Sequence, residues 1–585
     1  MVRQPIRGIV FRLVLGGLLA LVGLLALGEL SASRSEAQEQ RQRRRRGRDR
    51  GEGRDEDPRT LPDAWMKQLE WRSIGPANMS GRIVAIAVDP KDSSHWWAAS
   101  ASGGLLETQN NGLTFAHRFD QQSTVSIGHV AIAPSDSKII WVGTGEANPR
   151  NSVSWGDGVY KSIDGGRTWK NMGLRDSFQI GRIAIHPTDP DTVYVGALGR
   201  LWGPSDERGL YKTTDGGETW TRVLFVDEHT GIIDIDLDPS NPETLIVASY
   251  ERQRNDQDQN APEVKIAPGS KLWRSTDGGT TWTRLENGLP SCDLGRIGVD
   301  FCAKQPEIVY AVIESEKIGQ APPSFPFAGM TGENADVGAR ITTLVDDGPA
   351  AKAGVKVGDI AISIDGAIVY SMADLESAIR RRSAGETLKL VVSRNRESVA
   401  LELKLESFPE PNERGDTEDE PRARRPRGEN RNPFSQFLGG QTENLQEQQG
   451  DAGHEHGGVY RSDDGGVTWK RVNSVNPRPM YFSQIRIDPN NPDVLFMGGV
   501  GLHMSIDGGR SFVTDAAHLF HGDGDALYLD PFPSRHVLIG GDGGVAVTWD
   551  QSKTWTQHNN LPLGLYYHVS YDMETPYNVC GGLQD

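Results

Sequence analysis

The chain has 585 residues, a formal charge of −17 and a pI near 5.3, with 68 glycines, 14 tryptophans and three cysteines. That length exceeds one ordinary domain, and the acidity argues against bulk nucleic-acid binding, which needs a basic face to displace counterions from phosphates. Abundant glycine and tryptophan with few long apolar runs point to an all-β protein rich in turns.

At the N-terminus Arg3, Arg7 and Arg12 precede an apolar run from Leu13 to Leu27, and small residues lead to Ala37. The run is shorter than the roughly 20 residues a bilayer span needs, so 1–37 predicts a secretory signal cut after Ala37, with an uncleaved anchor as the alternative. Export would place the mature protein in a periplasm or outside the cell. Residues 38–64, with "RQRRRRGRDRGEGRDEDPR", lack apolar periodicity and predict a disordered Arg-rich tether.

From Leu69 the chain repeats. "IAIHPTDPDTVYVGA", "IDLDPSNPETLIVAS" and "IRIDPNNPDVLFMGG" each alternate apolar residues, turn at a Pro-bearing segment and resume with β-branched or aromatic residues, a two-stranded hairpin. A second motif, "SIDGGRTW" around Asp164, recurs at Asp215, Asp277, Asp464, Asp507 and Asp550, with Asn110 in a worn copy. Short strands flank it, so the two hairpins make four antiparallel strands, one propeller blade. The spacing is mostly roughly 45 to 60 residues, proper to blades. It breaks between Asp277 and Asp464, where something is inserted.

In the recurring motif the Asp carboxylate can accept backbone N–H bonds just downstream, the glycines can take positive φ, and Ser162 and Thr168 can bond across the turn. A calcium loop would want several oxygen ligands at alternate positions, and here Gly-Gly follows. The six aspartates are therefore expected to be structural, with no metal. These boxes resemble the Asp-box, or BNR, repeats, and their blend with "DPxNPxxVYVG" hairpins resembles bacterial exported sortilin-like proteins. The resemblance implies a multi-bladed β-propeller over 65–316 and 458–585, with boxes at the periphery and ligands in the central channel.

The insert "GPAAKAGVKVGD" and its surroundings, 325–405, resemble a bacterial PDZ domain, α+β, of the kind attached to periplasmic proteases. Resemblance implies a groove that takes a peptide as an added strand, with Phe327, Ala328, Gly329 and Met330 at the carboxylate-binding loop. Ser371 is the expected N-cap of a helix whose Leu375 and Ile379 share one face. A Pro- and charge-rich linker, 406–457, is expected to be disordered.

Leu69 to Val88 parallels Thr168 to Pro187, so Trp71 is expected to mark an outer strand that closes the ring. Seven units follow, and "YYHVSYDMETPYNVCGG" opens an eighth, which predicts either more than seven blades or a second propeller, and a truncated chain. Cys292 and Cys302 flank an expected strand that would hold them roughly 30 Å apart, so no disulfide is expected.

Candidate functional residues lie in loops that a propeller does not need for folding. "GTGEANPRNSVSWGDG" offers Glu146, Arg150, Trp155 and Asp157; other loops offer Arg200, Trp202 and Arg208, then Arg252, then His518, His521, Asp523 and Asp525. Aromatic, Arg and carboxylate side chains suit sugars or peptide termini. Glu146, Asp157, Asp523 and Asp525 could supply a glycosidase carboxylate pair. The leading expectation is an exported protein- or peptide-binding propeller with a PDZ for docking and no cofactor. A polysaccharide hydrolase and a scaffold recruiting an exported protease are the alternatives.

Overall fold

The computed structural model describes residues 81–256, 261–320, 326–335, 337–380, 382, 384–407, 444–513, 517, 523–531, 535–564 and 566–583. The signal, the tether, Trp71 and most of the linker lie outside the described residues.

Seven antiparallel sheets follow one another, each built from strands in chain order. Their first strands are Ile83–Asp89, Ile127–Ile132, Ile180–Ile185, Thr230–Leu237, Leu294–Phe301, Gln484–Asp488 and Gly524–Leu529. Each first strand packs beside that of the next sheet, and the seventh packs beside the first, so seven blades close a ring around a channel. Blades 1 to 5 and 7 have four strands; blade 6 has three and a bridge from Met504 to Val513.

The second strands are buried over most of their length, Ile140–Thr144 and Val193–Ala197 throughout. Each is sandwiched between neighbouring blades, which is why these strands read as unbroken apolar runs. A glycine recurs within them for a packing reason. A Cβ on Gly196 would lie 2.9 Å from Ile232 Cγ2 and one on Gly540 would lie 2.7 Å from Ile83 Cγ2, while Gly143 abuts Ile180 in the same way. Each glycine thus admits the first-strand isoleucine of the next blade, and the Gly540–Ile83 contact carries the pattern across the closure.

Among the described residues the closure is made by blade 7 and blade 1. All four strands of blade 7 come from Gly524–His558, and Asn560 Nδ2 donates to Gly112 O at 2.9 Å and Leu113 O at 3.0 Å, tying blade 7 to blade 1. The expected eighth unit is a two-stranded hairpin, Tyr566–Tyr571 with Val579–Leu583, outside the ring and largely exposed.

Blade 5 holds the insertion. Its second strand, Val309–Ser315, pairs with Gly458–Ser462, and the chain between them contains a separate domain. There Met330–Asn334, Ala339–Leu344, Ile360–Ile364, Thr387–Arg394 and Glu397–Lys404 form one sheet in that order, with a helix at Met372–Arg380. The turn "KVGD" is fixed by Asp359, which accepts Arg394 Nε at 2.8 Å and Nη2 at 2.7 Å. All three cysteines are free, with Cys302 buried.

Candidate functional site

The repeated aspartates are engaged within their own turns. Asp164 Oδ1 accepts the N–H groups of Thr168 at 2.9 Å and Arg167 at 3.0 Å, and its Oδ2 accepts Thr168 Oγ1 at 2.7 Å. Asp215, Asp277, Asp464, Asp507 and Asp550 accept the same Thr or Ser hydroxyl and N–H four residues on. The Trp that ends a box reaches further: Trp169, Trp220 and Trp282 donate Nε1 to Arg118 O, Met172 O and Val223 O, each in the preceding blade.

Bonds from the threonine hydroxyl, then its N–H, pull the Asp164, Asp215 and Asp277 carboxyls from 3.8 down to about 2. A depressed carboxyl contributes stability above its unfolded pKa, and that contribution is lost as pH falls from 3.8 through 2. Thermal melts should therefore fall across that window. Asp164→Ala should flatten this acid limb and cost about 1 kcal/mol at neutral pH.

The loop after the second strand of blade 2 does not splay into solvent. Gly145, Glu146, Ala147, Asn148 and Pro149 are buried, crossing one end of the channel. Arg82 of blade 1 meets Glu146 with two nitrogens, Nε–Oε1 at 2.9 Å and Nη2–Oε2 at 3.2 Å. Asn148 Nδ2 donates to Asp525 of blade 7 at 2.9 Å, and Asn148 Oδ1 accepts Arg296 Nη1 of blade 5 at 2.8 Å. Arg150 lies 3.4 Å from Asp542 of blade 7. Arg252 and Arg254, beyond blade 4's second strand, donate to Ala147 O and Pro149 O, both at 2.6 Å. This segment is a plug tied to four other blades.

Burial raises the Glu146 carboxyl, and the Arg82 charge opposes that. Burial also raises Asp525, reinforced by the charges of Asp542 and Asp523. Four of the sequence candidates, Glu146, Arg150, Arg252 and Asp525, therefore converge on one cluster. Asp523 pairs instead with Arg478 at 3.6 Å, whose guanidinium lies over the Tyr481 ring. Asp157 is held by Ser123 Oγ at 2.5 Å, Tyr160 OH at 2.8 Å and Arg175 at 3.3 Å. The four candidate carboxylates do not form one open pair: Glu146 and Asp525 are buried and Asp157 is committed elsewhere.

Beneath the plug the channel is a narrow cavity of about 50 Å³, walled by first-strand residues of all seven blades. Its lining includes the charged Arg182, Asp234, Arg296 and Arg486 and the imidazole of His129, which burial pushes well below its ordinary pKa. Asp234 Oδ2 accepts Val299 N–H at 3.1 Å, Asp236 accepts Phe301 N–H at 2.7 Å and Asp300 accepts Ile487 N–H at 2.7 Å. Each carboxylate satisfies a backbone donor on the next blade's first strand. Burial raises Asp236, and the Asp300 charge adds to it. Sequence reasoning missed this belt; its signal was a charged residue at alternate positions within "GRIAI", "DIDLD" and "QIRID".

Arg208 and Arg252 are fully buried rather than presented on solvated loops. Arg208 Nη2 donates to Arg200 O at 2.5 Å and Gly203 O at 3.2 Å, and so shapes the loop that carries Arg200 and Trp202. Trp155 and Trp202 are exposed. His518 and His521 lie outside the described residues. Among the described residues no cluster of His, Cys, Asp or Glu could hold a metal ion.

In the inserted domain Met330–Asn334 is an edge strand and the helix lies beside it. Gly332 is set by the neighbouring strand, since a Cβ there would stand 2.0 Å from Arg340 O. Leu375 and Ile379 are buried with Ala328 in the domain core, with Met330 packed partly exposed against it. Phe327 is half-buried, and Gly329 takes φ 69° where the loop turns. Ser371 Oγ accepts Asp374 N–H at 3.2 Å, capping the helix.

Comparison with known proteins finds matches over both the propeller and the inserted domain. Residues 157–324 match the family described as "Sortilin, neurotensin receptor 3", 295–405 the PDZ domain and 460–471 the BNR/Asp-box repeat. A xyloglucanase of Hypocrea jecorina (strain QM6a) is 29% identical over 240 residues, 36% of this chain and 26% of that protein. A probable periplasmic serine endoprotease, DegP-like, of Bartonella henselae is 32% identical over 126 residues, 20% of this chain and 25% of that one. The chain thus spans about a quarter of the length of these relatives. Among solved structures, YCF48 bound to D1 peptide superposes at TM-score 0.38 with 12% identity, covering 80% of this chain and 94% of that one. Among the described residues no helix is long and apolar enough to cross a membrane.

Proposed function

We propose that this chain, a sortilin-like Asp-box β-propeller with an inserted PDZ domain, is an exported protein that captures protein or peptide ligands, with the PDZ groove as one docking site. The observation that carries the reading is the edge strand Met330–Asn334 standing beside the helix Met372–Arg380. An edge strand offers unpaired N–H and C=O groups to an extended peptide, and a neighbouring apolar core gives its side chains a floor. The Phe327–Met330 loop at the strand's start would take the terminal carboxylate on its N–H groups.

The test is a library of fluorescent peptides with free C-terminal carboxylates, each paired with its C-terminal amide and titrated against the full chain. Amidation should weaken binding about tenfold or more, the loss of a charge-assisted set of bonds. Equal affinity of acid and amide forms for every binder would remove the groove from the reading.

Hydrolysis of polysaccharide is a second reading, favoured by the xyloglucanase similarity. Release of reducing ends from xyloglucan that disappears in both Glu146→Gln and Asp525→Asn, while both variants melt like wild type, would favour it. The DegP-like similarity supports a narrower version of the first reading, in which the PDZ recruits an exported protease.

A further inference from the structure

Beside the plug, loops of blades 2 and 3 hold a side-chain group that neither peptide docking nor blade packing uses. Trp155 is 61% exposed, and its ring stands at 89° to Phe178 with centroids 5.6 Å apart. The Arg200 guanidinium lies over the Phe178 ring at 4.7 Å and, among the described residues, forms no ion pair. An indole this exposed is uncommon.

The backbone beneath them is strained. Phe178 has φ 57° and ψ −45°, and Leu174 has φ 53°. Such conformations cost about 1–3 kcal/mol each and persist where surrounding structure enforces them. Here Gly156 N–H donates to Phe178 O at 2.8 Å, and a side chain on Gly145 would collide with that same oxygen. The plug loop therefore fixes the Phe178 ring on which Arg200 rests.

We propose that Trp155, Phe178 and Arg200 form a binding site for a uronic-acid-bearing saccharide. The exposed indole offers a flat apolar surface to the C–H face of a sugar ring. The stacked guanidinium, weakly hydrated and forked, takes the ring's carboxylate. The overall acidity would repel a polyuronate, so any affinity must come from this local cation rather than from general attraction. A neutral apolar ligand would leave the Arg200 charge unused. This site is independent of the PDZ reading and stands if that reading fails.

The test is calorimetric titration of the full chain with trigalacturonate, trimannuronate and the neutral galactose trimer. At least one acidic trimer should bind about fivefold or more tighter than the neutral one. Trp155→Ala should weaken that binding about tenfold or more, and Arg200→Gln should erase the preference for acid. Both side chains are exposed, so melting temperatures should stay at the wild-type value. No binding by either acidic trimer, equal binding of the neutral trimer, or unchanged affinity in both variants would overturn the site.

Discussion

Glu146→Ala should destabilise the protein by about 3–5 kcal/mol, seen as a large drop in melting temperature. Its loss strands Arg82, which is 3% exposed and meets Glu146 with two nitrogens. Removing one member of a buried pair leaves an uncompensated charge, and that penalty exceeds what the pair itself contributes. The remaining partner of Arg82 is Asp542 at 3.7 Å, which Arg150 shares. Replacing both residues, Arg82→Met with Glu146→Leu, should recover most of the loss, because an apolar pair carries no desolvation cost. A Glu146→Ala protein that melts like wild type would mean that the plug is not held by this pair.

Gly540→Val is the second large effect expected. A Cβ at 540 would lie 2.7 Å from Ile83 Cγ2 and 3.2 Å from Ala526 Cβ, and valine adds two methyl groups to that space. Overpacking of this kind typically costs about 1–3 kcal/mol, and here it falls on the contact where the last blade meets the first. Ile83→Ala in the same chain should relieve part of the cost, giving a favourable coupling in a double-mutant cycle. Full additivity would place the damage elsewhere than at the closure.

The ring was legible in the sequence because its signals are local. A box such as "SIDGGRTW" folds on itself through bonds spanning two to four residues, so each copy announces its turn without reference to the rest of the chain. The unbroken apolar second strands and the PDZ signature are equally short-range. The plug was not legible. "GTGEANPRN" has the composition of a solvated loop, and its burial depends on Arg82, Arg296, Asp525 and Asp542, which lie from 64 to 392 residues away. The channel belt was hidden for a related reason. Alternation says that Arg182 and Asp234 share a face with neighbours two residues away, but only closure makes that face the wall of a channel.

The insertion in blade 5 also bears on how the chain reaches its native state. In blade 3 the second and third strands, ending at Ala197 and starting at Gly209, are separated by 11 residues; in blade 5 Ser315 and Gly458 are separated by 142. Closing the longer loop costs roughly 2 kcal/mol more in chain entropy, at about 0.6 kcal/mol per doubling. Once the PDZ domain has folded it draws part of that chain into a compact body, and the search to join the two halves of the blade shortens. The inserted domain is therefore placed to act as an internal folding aid, and blade 5 should be the last of the seven to form whenever the PDZ is slow to fold.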